Sequence, residues 1–173
     1  MGLTEPFVYH LVPPDLRGTV LYPLNQLKTI YPEIAAQQMA KYAGREHILQ
    51  RRVPPLSCWW NDVLMFSPVP PSTLKAAMEE AGHTCAPRQW FEIDAQRFTY
   101  ENTAFYLPGE APEEARIIPY ERGCLVRYAN VSETQKRFYR RVEPGKPVLL
   151  FGGTPHVLYK GNINIAQVRV LEI

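Results

Sequence analysis

Residues Val148 to Ile165 read VLLFGGTPHVLYKGNINI: two apolar runs separated by a Gly-Gly-Thr-Pro break, the second closed by a Lys160-Gly161-Asn162 turn. Leu149, Leu150 and Phe151 are so few and so uniformly apolar that the spacing predicts a short buried strand. Gly152 and Gly153 let the backbone leave that strand through dihedrals that other residues resist. Pro155 fixes the start of a second strand, His-Val-Leu-Tyr, and the whole reads as a β-hairpin. A histidine at the edge of such a strand, beside a turn where backbone and ligand can approach closely, makes His156 the first site candidate. A hairpin whose glycines serve only the turn, with His156 half exposed, accounts for the same residues.

A hairpin needs a sheet to join, and the chain offers several further strands. Phe7 to Val12 is a β-branched and aromatic run closed by Pro13-Pro14, which puts His10 inside a strand. Val63 to Phe66, Trp90 to Asp94, Thr103 to Leu107, Ile117-Ile118, Cys124 to Tyr128 and Gln167 to Leu171 read as strands as well. Leu24, Leu27, Ile30 and Tyr31 recur at helical spacing, and Pro32 starts a second helix that runs to about Tyr42 and ends at Gly44. Arg45 to Val53 fits a helical turn or a strand, and Pro54-Pro55 ends it either way. Pro71 opens a helix that should bury Leu74, Ala77, Met78 and Ala81 on a sheet, with Gly82 just past its end. Ser132 and Gln135 have capping-box spacing for a helix reaching Val142. Strands that do not alternate regularly with helices predict an α+β fold, a mixed and mostly antiparallel sheet core with helices packed outside.

The 173 residues predict one globular domain, 1–173, large enough to bury a core. No apolar run approaches the roughly 20 residues of a membrane helix. Met1 to Pro6 holds neither a basic region nor an apolar core, so no secretory signal is expected. Cys58, Cys85 and Cys124 are odd in number and scattered, which predicts free thiols, no metal cluster and a cytoplasmic location. A net charge of +2 with both signs interspersed argues against duplex DNA as a partner. Arg137, Arg140 and Arg141 fit a solvated helix face. No GxGxxG, Walker, zincin or nucleophile-elbow pattern occurs.

Other residue types carry possible chemistry. Trp60-Asn61-Asp62 sets an amide and a carboxylate beside an indole, a combination that orients hydroxyls while a ring packs on a base. It is equally a common turn pair. Arg45 can grip a phosphate or carboxylate in a bidentate fork, or simply end a helix. Tyr9, Tyr159 and Lys160 flank the two histidine strands and complete the binding candidates, although tyrosines of this kind more often line a core edge. His47 and His83 fall in polar segments and read as solvated.

Four pieces taken in order, Tyr9-His10-Leu11-Val12, Leu64 to Pro68, Phe91 to Asp94 with its following loop, and Leu158 to Ile163, resemble the ADP-ribosyltransferase-like fold. The resemblance implies a split sheet, NAD as cofactor, and a His10 strand holding the nicotinamide ribose. The sequence departs from that pattern where the family carries its acceptor-positioning glutamate: the place falls near His156, and no Asp or Glu occurs between Glu143 and Glu172. Two functions follow as expectations. One is an enzyme acting on NAD or an ADP-ribosyl or phosphoryl group, with His10 and His156 meeting across a nucleotide-shaped cleft as acid, base or donor. The other is a catalytically idle version that binds a nucleotide, peptide or protein partner, or serves as an accessory to a biosynthetic pathway.

Overall fold

The computed structural model describes residues 6–173; Met1 to Glu5, most of the segment in which no secretory signal is expected, lie outside the described residues. In chain order the strands and helices are β1 Phe7–Leu11, β2 Val20–Leu21, α1 Leu24–Ile30, α2 Pro32–Ala40, β3 Arg52–Val53, β4 Cys58–Trp59, β5 Val63–Phe66 and α3 Pro71–Glu80. They continue with β6 Gln89–Asp94, β7 Thr103–Leu107, β8 Arg116–Pro119, α4 Leu125–Tyr128, α5 Glu133–Arg141, β9 His156–Lys160, β10 Ile163–Asn164 and β11 Arg169–Glu172. The protein is α+β, and every strand pairing among the described residues is antiparallel.

Two sheets carry the core. One has the order β1-β6-β11 and the other β5-β9-β7-β8. They meet at a single bridge, where Tyr9 and Ser67 exchange both backbone hydrogen bonds, at 2.9 and 2.8 Å. Strand alternation sorts the side chains. Val8, Phe91 and Ile93 of the first sheet and Leu64, Phe66, Phe105 and Val157 of the second fill one shared cluster. The opposite face of the second sheet, with Val63, Ala104 and Leu158, packs on Val53, Leu56, Cys58 and Trp60. Because both faces are covered, these strands read as near-continuous apolar runs.

Helix α3 begins with Pro71, which sacrifices no hydrogen bond in the first turn. It buries Leu74, Ala77 and Met78, while Ala81 is partly exposed. Its inner face meets Tyr9, Val69 and Trp90 at Leu74, and Tyr139 of α5 at Ala77 and Met78. Ser132 caps α5 as the spacing predicts, its hydroxyl accepting from the Gln135 N–H at 3.1 Å. The Gln135 side chain does not reciprocate: its amide donates to the Tyr139 hydroxyl and to Thr154 Oγ1. Arg137 pairs with Glu110, and Arg140 and Arg141 are exposed.

Four expectations need correction. Leu149 to Phe151 is a turn: Gly152 N–H donates to the Leu149 carbonyl at 3.0 Å, and Leu149 is 69% exposed. Adjacent Leu150 and Phe151 both pack on the Trp90 cluster, which a strand, with its alternating side chains, does not permit. His156–Lys160 is therefore no hairpin arm but an inner strand, paired with β5 on one side and β7 on the other. Cys124 to Tyr128 forms a helical turn, because Leu125 and Tyr128, three apart, both reach the shared cluster. His83 is buried and its Nε2 lies 2.7 Å from the Tyr139 carbonyl, so it ties α3 to α5. Arg45 to Val53 resolves into a 3₁₀ turn, Glu46–Gln50, followed by β3.

Candidate functional site

The β3–β4 hairpin builds a polar cleft. Pro54-Pro55 forces the chain to turn, and Ser57 closes that turn at φ +50°, the one non-glycine residue with positive φ among the described residues. A left-handed serine costs on the order of 1 kcal/mol, and strain of this kind concentrates at functional sites. The register pairs Arg52 with Trp59 and Val53 with Cys58. Alternation then sends Val53 and Cys58 into the core and leaves Arg52 and Trp59 outside, with the guanidinium 4.3 Å from the indole centroid and Trp59 45% exposed.

Asp62 holds the cleft's geometry. One carboxylate oxygen accepts from Asn25 Nδ2 of α1 at 2.6 Å, and the other accepts from the Trp59 N–H at 2.9 Å. The Asp62 carbonyl accepts from the Gly161 N–H at 3.1 Å, where φ of +101° suits glycine. Lys160 Nζ donates to the Leu56 carbonyl at 3.1 Å, which sets its ammonium beside the hairpin. The resulting cavity, about 540 Å³, presents Gln26, Arg52, Trp59, Asp62 and Lys160 over a floor at Cys58. Two cations face one carboxylate that is already hydrogen-bonded at both oxygens, so the cleft favours an anion. Burial pushes the Cys58 thiol up; Lys160 pulls it down and Asp62 pushes it up again. The thiol is protonated at neutral pH and is not a nucleophile.

The structure brings Asp62 and Lys160 together and disperses the other candidates. Trp60 is buried edge-on against Tyr106 at 5.5 Å, with Arg51 5.0 Å over its ring. Asn61 is buried beside it. Arg45 Nη2 donates to the Lys41 carbonyl at 2.8 Å, a helix-end role away from the cleft. Tyr9 is buried with Leu74 and Trp90; burial first, then Glu92, pushes its phenol up. Tyr159 packs its ring on Phe98 at 5.3 Å.

The histidines do not meet. His10 lies 5.3 Å from Phe66, which shares a face with its register partner Val157. His156 precedes Val157 and so projects from the opposite face, against Tyr106 and Phe151, each at 5.8 Å. His10 Nδ1 donates to the Leu11 carbonyl at 2.6 Å, which leaves Nε2 as an acceptor in the neutral ring, and the residue lines a separate cavity of about 520 Å³ with Lys41 and Arg88. Burial pushes His10 down and drives His156 down to about 4. The Thr154 carbonyl lies close enough to His156 to oppose this slightly, yet Nδ1 is buried without a hydrogen bond.

Arg52, Trp59 and Ser57 escaped the sequence reading. Their signal was present in the alternation Arg-Val and Cys-Trp on either side of Pro-Pro, which marks a hairpin with an outward Arg/Trp pair. Among the described residues no group of three or more His, Cys, Asp or Glu is placed to hold a metal ion, and no helix is long and apolar enough to cross a membrane. Comparison with protein-family models, with curated proteins and with solved structures finds no match for this chain.

Proposed function

We propose that the protein binds a nucleotide-like small molecule in the Trp59–Lys160 cleft, with a planar ring on the indole and a phosphate or carboxylate at Arg52 and Lys160. The observation that carries this reading is the exposed Trp59 indole with a guanidinium over it and a second cation across the cleft. Stacking on an aromatic side chain contributes about 1–3 kcal/mol per base, and a cation contact to phosphate adds to it. No histidine lines this cleft and its thiol is protonated, which favours binding over group transfer here. Three free thiols fit a reducing cytoplasm.

Calorimetric titration with AMP, ADP-ribose and NAD tests the reading. At least one should bind, and Trp59→Ala should weaken it about tenfold or more. Absence of binding by all three at millimolar concentration, or unchanged affinity in Trp59→Ala, would overturn it.

Chemistry on NAD is the second reading, and His10 supports it. The ring is pinned through Nδ1, its Nε2 is an acceptor, and Lys41 and Arg88 stand at the same cavity. A ribose hydroxyl could donate to Nε2 while a phosphate meets the cations. Hydrolysis of NAD by water to nicotinamide and ADP-ribose, lost on the order of 10²- to 10⁴-fold in His10→Ala, is the expected result. No release by the unaltered protein leaves the catalytically idle reading.

A further inference from the structure

Away from the Trp59 cleft, and sharing only Arg88 with the His10 cavity, a third cavity lies between α3, the segment from His83 to Arg88, and the loop from Gly145 to Leu150. Its volume is about 400 Å³, within the range of small-molecule sites. The apolar lining comes from Met78 and Pro71 of α3, Trp90 of β6, and Val148 and Leu150. Helical spacing explains the first part: positions 71, 75 and 78 share a face, so Lys75 stands beside Pro71 and Met78. The chain supplies two further cations, Arg88 just before β6 and Lys146 in the turn where its N–H donates to the Glu143 carbonyl at 3.0 Å.

The charged side chains that line the cavity are all positive. No Asp or Glu lines the cavity. Lys75 has an exposed i,i+4 partner in Glu79 at 3.9 Å, a distance at which such pairs contribute little. Arg88 and Lys146 make no ion pair among the described residues. His83 is committed to the Tyr139 carbonyl, and burial pushes the Cys85 thiol up, so neither adds a negative charge to the cavity. An apolar interior under three cations suits a molecule with one anionic end and a hydrocarbon body, since each cation keeps its hydration until a carboxylate arrives while the body removes apolar surface from water.

We infer that this cavity is a binding site for an apolar monocarboxylate, an acyl or aryl acid of about ten carbons, independent of the Trp59 cleft. Decanoate and methyl decanoate are the probes, and two readouts locate them. Decanoate should displace an anionic naphthalene dye from the protein, and methyl decanoate should be about tenfold weaker, because it buries the same chain without the charge. Decanoate should also slow alkylation of Cys85, which lines the cavity and is partly exposed, and leave Cys124, which does not line it, unaffected. Lys75→Gln and Lys146→Gln change side chains at the rim and should each weaken decanoate several-fold, the pair together more. Arg88 also borders the His10 cavity and is left unaltered for that reason. Trp59→Ala should leave decanoate binding unchanged, which separates this site from the nucleotide reading. Equal displacement by acid and ester, protection of all thiols alike, or full affinity in the double lysine variant would overturn the inference.

Discussion

His156 illustrates how much one side chain can change a reading. From sequence it is a polar ring at a turn; in the fold it sits on an inner strand with Nδ1 buried and unpaired, and its pKa falls to about 4. The sign of the resulting pH dependence follows directly. The unfolded chain binds the proton near 6.5 and the folded one resists it until about 4, so the contribution of His156 is constant above pH 6.5 and is lost as pH falls through that window. The loss is on the order of 2–3 kcal/mol by pH 4. His10, also pushed down by burial, adds in the same direction. Chemical denaturation between pH 7.5 and 4 should show this slope, and His156→Phe, surrounded by Tyr106 and Phe151, should flatten it without a deficit at neutral pH. An unaltered slope would mean that other groups carry the acid sensitivity. Residue type alone singled out Asp62 and Lys160, which line one cleft, but not that His10 and His156 face opposite ways. Their separation depends on the parity of β9 against β5, which no local pattern encodes.

At the level of elements, legibility follows locality. Helix α3, with its proline start and apolar spacing, was readable because every signal lies within a dozen residues. So were β5 and β7, bounded by turn residues on each side. Leu149 to Phe151 was not, because Leu150 and Phe151 pack from a turn, and only the distant Trp90 cluster reveals that. Gly152 and Gly153 show the same division of labour. Gly153 adopts φ +71°, as the turn reading implies, whereas a Cβ at Gly152 would stand 2.1 Å from the Phe138 ring of α5. Gly152→Ala should therefore cost about 1–3 kcal/mol in urea unfolding, as overpacking does. Phe138→Ala in the same chain should recover most of it, a coupling that a turn effect alone would not produce.

On the scale of the whole molecule, the α+β class was legible because it depends on the order of elements rather than their register. The distribution of cavities was not, since each draws on segments far apart in the chain. The cysteines are a molecule-wide expectation with a direct check: Cys58, Cys85 and Cys124 are free. Alkylation in denaturant without reductant should label three thiols by intact mass, and two fewer would mean a bridge and an oxidising compartment. The bridge between Tyr9 and Ser67 has a further consequence. One pair of hydrogen bonds would be a weak seam if the sheets had separate interiors, and the molecule would then melt in two steps. Both instead line one cluster, so parting them exposes Val8, Phe66 and Phe105 together. The amide protons of Tyr9 and Ser67 should exchange with deuterium only as slowly as that of Phe105, which makes this pair of protons a gauge of global opening rather than of a hinge.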